Sequence, residues 1–112
     1  MIKVTDIIEK FNLEKIASFR TIDPVVTGAY TSDLLSDVIA NSKKDNIWIT
    51  LQTHLNILAV AKLKELAAII IVSNRDIEKE TIEKAETENI TLLRTTMNAF
   101  EISGKLYELG LR

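Results

Sequence analysis

Polar side chains that can bind an anion or transfer a proton follow several apolar segments of the chain. His54 is the single histidine, and an imidazole titrates near neutral pH without any perturbing environment. Arg75 carries a guanidinium group, which binds a carboxylate or a phosphate through two parallel hydrogen bonds. The candidate ligand-binding residues, which all carry polar side chains, are Gln52, Thr53, His54, Asn74, Arg75, Thr96 and Asn98.

The residues around His54 do not form a recognisable catalytic constellation. A histidine that acts as a general base needs a nucleophile or an orienting carboxylate, and neither is adjacent in the sequence. The chain has no cysteine, which excludes thiol chemistry and disulfide bonds, and a single histidine argues against a zinc site. We therefore expect no catalytic residue, no metal site and no cofactor. A small enzyme that uses His54 is the least favoured hypothesis.

The composition is that of an ordinary globular protein. The chain has 112 residues, enough for one domain, and its 14 basic and 16 acidic residues give a formal net charge of −2. A DNA-binding domain is normally basic, so we expect no nucleic-acid partner. No apolar run approaches the roughly 20 residues of a membrane span, and the first residues do not resemble a signal peptide. These features predict a cytoplasmic protein with no membrane partner.

Apolar periodicity predicts helices that alternate with short strands. A helical stripe runs from Val4 to Phe11, and Asn12 suits the end of this first helix. The later segments predict a short extended piece over 13–18, strands over 25–30, 47–51, 67–72 and 90–93, and a helix after each of these four strands. Gly28 inside one strand indicates a bulge, a bend or a close backbone approach. The regular alternation predicts an α/β domain with a mostly parallel sheet of βαβ units.

The polar groups fall at the ends of the predicted strands. The turns that follow parallel strands share one edge of the sheet, where open α/β folds usually bind their ligands. This placement predicts a site for a small anionic metabolite or nucleotide. A competing interpretation is that these residues only cap helices, with Thr31-Ser32-Asp33, Asp76 and Thr95 or Thr96 as caps. Capping accounts for each group alone, but three successive polar residues at Gln52-Thr53-His54 exceed what one cap needs.

The helix predicted over Leu55–Leu66 is apolar on two faces. A helix that is apolar nearly all round must be covered nearly all round, and a domain of this size has little left to cover a second face. We therefore predict a homodimer. The predicted interface residues are Ile57, Val60, Ala61 and Lys64. The alternative is that the N-terminal helix covers this face through Ile7 and Ile8.

Four segments carry a family pattern: Val26–Asp37, Trp48–His54, the apolar strand Ala67–Val72 and the closing segment Thr95–Glu101. Together they resemble the DRTGG domain family over nearly the whole chain. The resemblance implies a single three-layer α/β domain over residues 1–112, with residues 1–12 as an N-terminal helix. It also implies kinship with the amino-terminal domain of HPr kinase/phosphorylase, which lacks the kinase P-loop, and with modules that are regulatory or dimer-forming.

The sequence departs from the pattern that names this family. Gln52-Thr53 stands where Asp-Arg would follow a strand, and Ser73-Asn74-Arg75 stands where Thr-Gly-Gly would follow the next one. The chain also lacks a G-x-x-x-x-G-K-[ST] motif, so it has no loop that cradles ATP phosphates in the manner of a P-loop kinase.

These observations together predict a non-catalytic regulatory or ligand-sensing module that acts as a homodimer. The alternative is a protein-interaction adaptor that presents an apolar helix face to a protein partner. Dilution separates the two hypotheses, because a tight self-dimer hides that face, whereas an adaptor is monomeric or weakly associated and exposes it.

Overall fold

The described part of the chain consists of five helices and five strands. A computed structural model describes residues 1–17 and 23–112. In chain order the elements are α1 (Val4–Phe11), β1 (Glu14–Ala17), β2 (Gly28–Thr31), α2 (Leu35–Asn41), β3 (Asn46–Thr50), α3 (Asn56–Lys64), β4 (Ala68–Ile71), α4 (Lys79–Thr87), β5 (Leu92–Arg94) and α5 (Ala99–Leu109). The predicted alternation is confirmed. No helix in this part of the chain is both long and apolar enough to cross a membrane.

The boundaries of the first elements follow from local backbone chemistry. α1 ends where expected, because Asn12 adopts the left-handed conformation that closes a helix. The extended piece predicted over 13–18 corresponds to β1, and its final residue, Ser18, lies outside the described residues.

The strands form one sheet in the order β1-β5-β4-β3-β2. β2, β3, β4 and β5 are parallel neighbours, whereas β1 runs antiparallel to β5. Each parallel strand connects to the next through a helix, which confirms the predicted βαβ units. The carboxyl ends of the four parallel strands therefore share one edge. The start of β1 lies at the same edge, since Glu14 pairs with Arg94.

Helices cover both faces of this sheet. Successive strand residues point to opposite faces, and Ile47, Ile49 and Ile70 pack with α1 and α5. Trp48 and Ile69 pack with α2, α3 and α4 on the other face. All five side chains are fully buried. Each buried isoleucine contributes about 1.5–3 kcal/mol by leaving water. This arrangement confirms the three-layer α/β fold.

α3 directs most of its apolar side chains into the protomer, and this corrects the predicted dimer interface. Ile57, Val60 and Ala61 are 0%, 4% and 3% exposed, respectively, and belong to the core cluster beneath α3. α2 and α4 contact α3 on either side. Because these three side chains are covered within the protomer, they are not available to a second subunit. Lys64, the fourth predicted interface residue, is half-buried.

The alternative explanation for the two apolar faces of α3 is also wrong. Ile7 and Ile8 of α1 do not cover α3, because they pack in the cluster on the opposite face of the sheet. The outer surface of α3 is instead left open, since Ala59 is exposed and Leu63 is 67% exposed. The side of α3 that is free for contacts is therefore the one opposite to the predicted side.

Gly28, at the start of β2, lies against the end of the chain. A Cβ atom at this position would stand 2.6 Å from the backbone oxygen of Arg112 and 3.2 Å from Nδ2 of Asn46. Both distances are shorter than ordinary van der Waals contact, so a side chain here forces its neighbours to move. The close backbone approach indicated by the sequence is confirmed.

Candidate functional site

A cleft lies at the carboxyl edge of the sheet, where β4 and β5 end beside the start of β1. Its volume is about 450 Å³, which is within the usual range for small-molecule sites. We call it the C-edge cleft. Its lining residues are Phe11, Asn12, Glu14, Asn74, Arg94, Thr95, Thr96 and Met97. Among the predicted ligand-binding residues, the structure brings Asn74 and Thr96 together here.

Backbone hydrogen bonds fix the floor of the C-edge cleft. The Asn74 N–H donates to the Thr95 carbonyl at 2.8 Å, and the Ser73 N–H donates to the Met97 carbonyl at 2.8 Å. The Thr95 hydroxyl accepts from the Met97 N–H at 3.2 Å. These bonds join the turn after β4 to the turn after β5, so the two turns form one rigid unit. Asn74 holds its turn in the left-handed conformation, with φ of 50°.

Two polar side chains of this unit are free to contact a ligand. The Asn74 amide and the Thr96 hydroxyl are both exposed. Within residues 1–17 and 23–112, neither side chain takes part in a hydrogen bond. An amide offers two donors and an acceptor, and a hydroxyl offers a donor and an acceptor. The cleft therefore presents polar groups of both kinds above a fixed backbone.

Arg94 forms one wall of the C-edge cleft, and the sequence did not single it out. Its Nε and Nη2 donate to the two carboxylate oxygens of Glu14 at 2.9 and 3.1 Å, and its Nη1 donates to the Arg75 carbonyl at 3.3 Å. The Arg94 side chain is only 21% exposed. The guanidinium is thus held in one orientation, with its charge balanced by Glu14. Glu14 and Arg94 are directly opposite each other in the register of β1 and β5. The pair can therefore be predicted from the sequence only if the pairing of these two strands is already known.

Five of the seven predicted ligand-binding residues are not among the lining residues of the C-edge cleft, and Arg75 and Asn98 are two of these five. The Arg75 side chain is exposed, and it forms no ion pair with another described residue. Asn98 caps α5, because its Oδ1 accepts from the Glu101 N–H at 2.9 Å. Asn98 therefore takes the capping role that the sequence assigned to Thr95 or Thr96, which leaves the Thr96 hydroxyl free. The prediction of Asp76 as a cap is also corrected, since α4 begins with Glu78 at the N-cap.

Gln52 and Thr53, the predicted site residues directly after β3, make hydrogen bonds that stabilise the fold, and neither lines the C-edge cleft. The Asp33 carboxylate accepts from the Thr50 hydroxyl at 2.8 Å and from the Leu51 N–H at 2.7 Å. Nε2 of Gln52 donates to the Asp33 carbonyl at 2.9 Å, and the Thr53 carbonyl accepts from the Thr81 hydroxyl at 2.8 Å. Asp33 thus ties the segment before α2 to the end of β3 rather than capping α2.

His54 supports the start of α3. Its Nδ1 accepts from the Asn56 N–H at 3.1 Å. The ring is exposed, and no carboxylate or hydroxyl within the described ranges forms a hydrogen bond or an ion pair with it. Across those same ranges, no cluster of three or more His, Asp or Glu side chains is arranged to hold a metal ion. His54 therefore satisfies a backbone N–H at the start of α3.

Hydrogen bonds perturb the acidity of a small cluster beside β2. Bonds from the Ser32 and Tyr30 hydroxyls hold the pKa of Asp37 below its usual value, and Asn41 adds to this effect. The same bond to Asp37, 2.9 Å long, raises the pKa of Tyr30. Between α3 and the end of α4, Lys62 lowers the pKa of Glu88 through a hydrogen bond of 2.6 Å. These contacts join neighbouring elements.

Comparisons with known proteins identify a structural neighbour. No protein-family model matches the chain, and no curated protein matches it. The fold is similar to the CBS and DRTGG domains of the regulatory region of Clostridium perfringens pyrophosphatase, a structure solved with the activator diadenosine tetraphosphate. The TM-score is 0.71 at 19% sequence identity, over 92% of this chain and 44% of that chain. This likeness shows a shared fold, and this chain spans less than half of the neighbour's length.

Proposed function

We propose that this protein is a non-catalytic regulatory module that senses a small ligand in the C-edge cleft. The observation that carries the proposal is the pair of unengaged polar side chains, Asn74 and Thr96, above a floor fixed by hydrogen bonds. A preorganised site loses little conformational entropy when a ligand binds. The cleft also lies at the carboxyl ends of parallel strands, where α/β sheets commonly bind ligands.

A nucleotide or another small anionic metabolite is the ligand class that fits this module best. The regulatory region with the similar fold binds a nucleotide activator, diadenosine tetraphosphate. In the C-edge cleft, the Arg94 guanidinium has a fixed orientation, and because Glu14 balances its charge, the unpaired cation nearest in sequence to Asn74 among the described residues is Arg75. Arg75 follows Asn74 in the same turn, and its exposed side chain has the freedom to fold onto an anion at the rim.

The structural role of His54 supports a non-catalytic function. One ring nitrogen accepts a backbone N–H at the start of α3, and a general base needs a free nitrogen with an orienting partner on the other. The similar fold belongs to a regulatory region.

Differential scanning fluorimetry tests the proposal. The probes are ATP, GTP, diadenosine tetraphosphate, acetyl phosphate and inorganic phosphate. A ligand that binds only the folded state adds about 2.7 kcal/mol at a hundredfold excess over its Kd, which gives a clear rise in Tm. We expect at least one probe to give a dose-dependent shift. A flat response to every probe contradicts a site for phosphorylated ligands.

Paired variants place the binding site. The Asn74→Gly/Thr96→Val variant removes both free polar groups, while glycine keeps the left-handed turn at position 74. We expect it to fold and to lose the shift. The matched control is Asn89→Gly/Thr87→Val, because Asn89 is also left-handed and both positions are remote from the cleft lining. An equal loss in the control contradicts the C-edge cleft as the site.

A second candidate function, a protein-interaction adaptor, is favoured by a largely apolar groove between α3 and α4. The groove has a volume of about 330 Å³. Its lining residues are Leu55, Asn56, Leu58, Ala59, Lys62, Lys84, Glu88 and Ile90. The exposed Leu63 extends the apolar surface along α3. In the homodimer that we propose, a second copy of the chain covers this outer surface of α3. In the adaptor, a different protein covers it.

Sedimentation analysis over a dilution series separates these two uses of the outer surface of α3. A homodimer that remains associated on dilution buries the surface in a copy of the chain and supports the sensor proposal. A monomer at every concentration contradicts the homodimer and favours the adaptor.

A further inference from the structure

A second cleft, at the opposite edge of the sheet, is lined by cationic side chains. It lies beside the starts of β2 and β3 and has a volume of about 520 Å³. Lys43, Lys44 and Arg112 line it together with Tyr30 and Asn46. We propose that this basic cleft binds a small molecule through a phosphate group that carries two or more negative charges. This proposal does not depend on the function proposed for the C-edge cleft.

The cations of the basic cleft are not neutralised by acidic side chains. The ion pairs within residues 1–17 and 23–112 engage Lys62, Lys79, Lys84 and Arg94, so the three cleft cations remain available. Among the described residues that line the basic cleft, none carries a carboxylate side chain. Positive charge is therefore in surplus among the side chains that line this cleft. The whole chain has a net charge of −2, so this surplus is a local feature.

The loop that carries the two lysines is held in place. The Lys43 N–H donates to Oδ1 of Asn46 at 2.9 Å, and Nδ2 of Asn46 donates to the Thr27 hydroxyl at 3.0 Å. The Thr27 hydroxyl donates to the Lys44 carbonyl at 2.7 Å. Asn46 is only 7% exposed. The loop is thus fastened to the start of β2, and its backbone loses little entropy when an anion binds.

Arg112 supplies a fixed guanidinium from a different part of the chain. Its guanidinium carbon lies 3.8 Å from the centre of the Tyr107 ring, and its Nη1 donates to the carbonyls of Tyr107 and Leu111. A guanidinium held by stacking suits the planar recognition of phosphate oxygens. Two lysines from one loop and an arginine from the segment after α5 therefore line the same cleft.

Helix dipoles offer a different reason for this charge. Lys43 and Lys44 follow the carboxyl end of α2, and Arg112 follows that of α5, where cations are stabilising. If the helix dipoles alone explain these cations, removing the cations should lower the stability of the fold and leave the affinity for phosphate ligands unchanged. The nearest perturbed carboxylate, Asp37, is engaged by the Tyr30 hydroxyl and by Nδ2 of Asn41 at 2.8 Å, and it is not a lining residue.

Nitrogen-15 NMR titration at low ionic strength tests the proposal, with inorganic pyrophosphate and ATP as probes. We expect amide shifts at Gly28, Lys44 and Asn46, which weaken as salt is added. The Lys43→Ala/Lys44→Ala variant should bind about tenfold more weakly, since charge-assisted hydrogen bonds are lost. The control, Lys79→Ala/Lys105→Ala, removes the same charge elsewhere and should bind as the wild type does.

The two probes distinguish the sources of the phosphate group. Equal affinities show that the phosphate group suffices, whereas tighter binding of ATP shows that a nucleotide is preferred, and both results support the proposal. Absence of shifts in the basic cleft, or an equal loss in the control variant, overturns it. Tighter binding of a single-stranded RNA oligomer than of ATP also overturns it. If the alanine variant is unfolded by circular dichroism, Lys43→Gln replaces it with the same expected direction.

Binding here is distinguishable from binding in the C-edge cleft by the amides that respond. A probe in the C-edge cleft shifts Asn74 and Thr96 and is lost in the Asn74→Gly/Thr96→Val variant, whereas binding in the basic cleft persists in that variant.

Discussion

Replacing Asp33 by alanine is expected to destabilise the fold by about 2–4 kcal/mol. The carboxylate accepts two short hydrogen bonds, from the Thr50 hydroxyl and the Leu51 N–H. Thr50 is fully buried, so its hydroxyl loses this partner without gaining water. A hydrogen bond to a charged group contributes about 1.5–3 kcal/mol. Leu51 is half-buried, so in the variant its N–H can bond to water instead. The expected loss of unfolding free energy is therefore smaller than the sum for two hydrogen bonds.

Urea unfolding followed by circular dichroism and by the fluorescence of the buried Trp48 measures this effect. The corresponding fall in Tm is about 4–8 °C per kcal/mol in a domain near this size. Asp76→Ala is the control, because Asp76 is exposed and its side chain makes no hydrogen bond in the described ranges; we expect a change within about 0.5 kcal/mol. In a double-mutant cycle with Thr50→Val, the two residues should show coupling. A loss below about 0.5 kcal/mol for Asp33→Ala refutes the reasoning.

Three further predictions follow from the packing and charge of the chain. Gly28→Ala should cost about 1–3 kcal/mol in urea unfolding, because its Cβ would stand 2.6 Å from the Arg112 oxygen; unchanged stability contradicts this close approach. Leu63→Glu should make the proposed homodimer monomeric in sedimentation, whereas Leu34→Glu, which alters a similarly exposed leucine at the N-cap of α2, should leave it intact. Because the pKa of Asp37 is lowered in the folded state, its contribution to stability is complete above the ordinary value of about 3.9 and is lost as pH falls through the lower folded value. Asp37→Asn should therefore flatten the acid limb of the pH–stability profile, and an unaltered limb contradicts the assignment.

The two central strands, β3 and β4, were predictable because each carries a run of buried apolar residues. The segment around Ile70 is apolar throughout, as a central parallel strand buried on both faces must be. Helix ends with a clear backbone requirement were also predictable. Asn12 closes α1 in the left-handed conformation, and Gly110 closes α5 with φ of 116°.

The orientation of α3 was not predictable, since a helix that is apolar on two sides has no periodic signal to distinguish them. The structure directs Ile57 and Val60 inward and leaves Leu63 outside. Only the packing of α2 and α4 on either side of α3 decides this choice, and that packing depends on contacts that are remote in sequence.

The structure has a cleft at the edge of the sheet where the sequence predicts a site, but the residues that line it differ from the predicted set. The parallel topology places the turns that follow the strands at one edge of the sheet. Asn74 and Thr96 therefore line one cleft, as expected from the alternation of strands and helices. The Glu14–Arg94 pair joins residues 80 positions apart, so no local pattern reveals it. Gln52 bonds to the Asp33 carbonyl instead of lining the cleft, and that choice depends on how the segment before α2 folds back over β3.

The most direct test of the central claim is a site-resolved NMR titration with ATP and diadenosine tetraphosphate. We expect at least one of these ligands to shift the amides of Asn74, Thr95 and Thr96, and we expect the Asn74→Gly/Thr96→Val variant to abolish these shifts. Unchanged amides at the C-edge cleft at saturating ligand, or shifts confined to Lys43–Asn46, would contradict a sensor site at the carboxyl edge of the sheet.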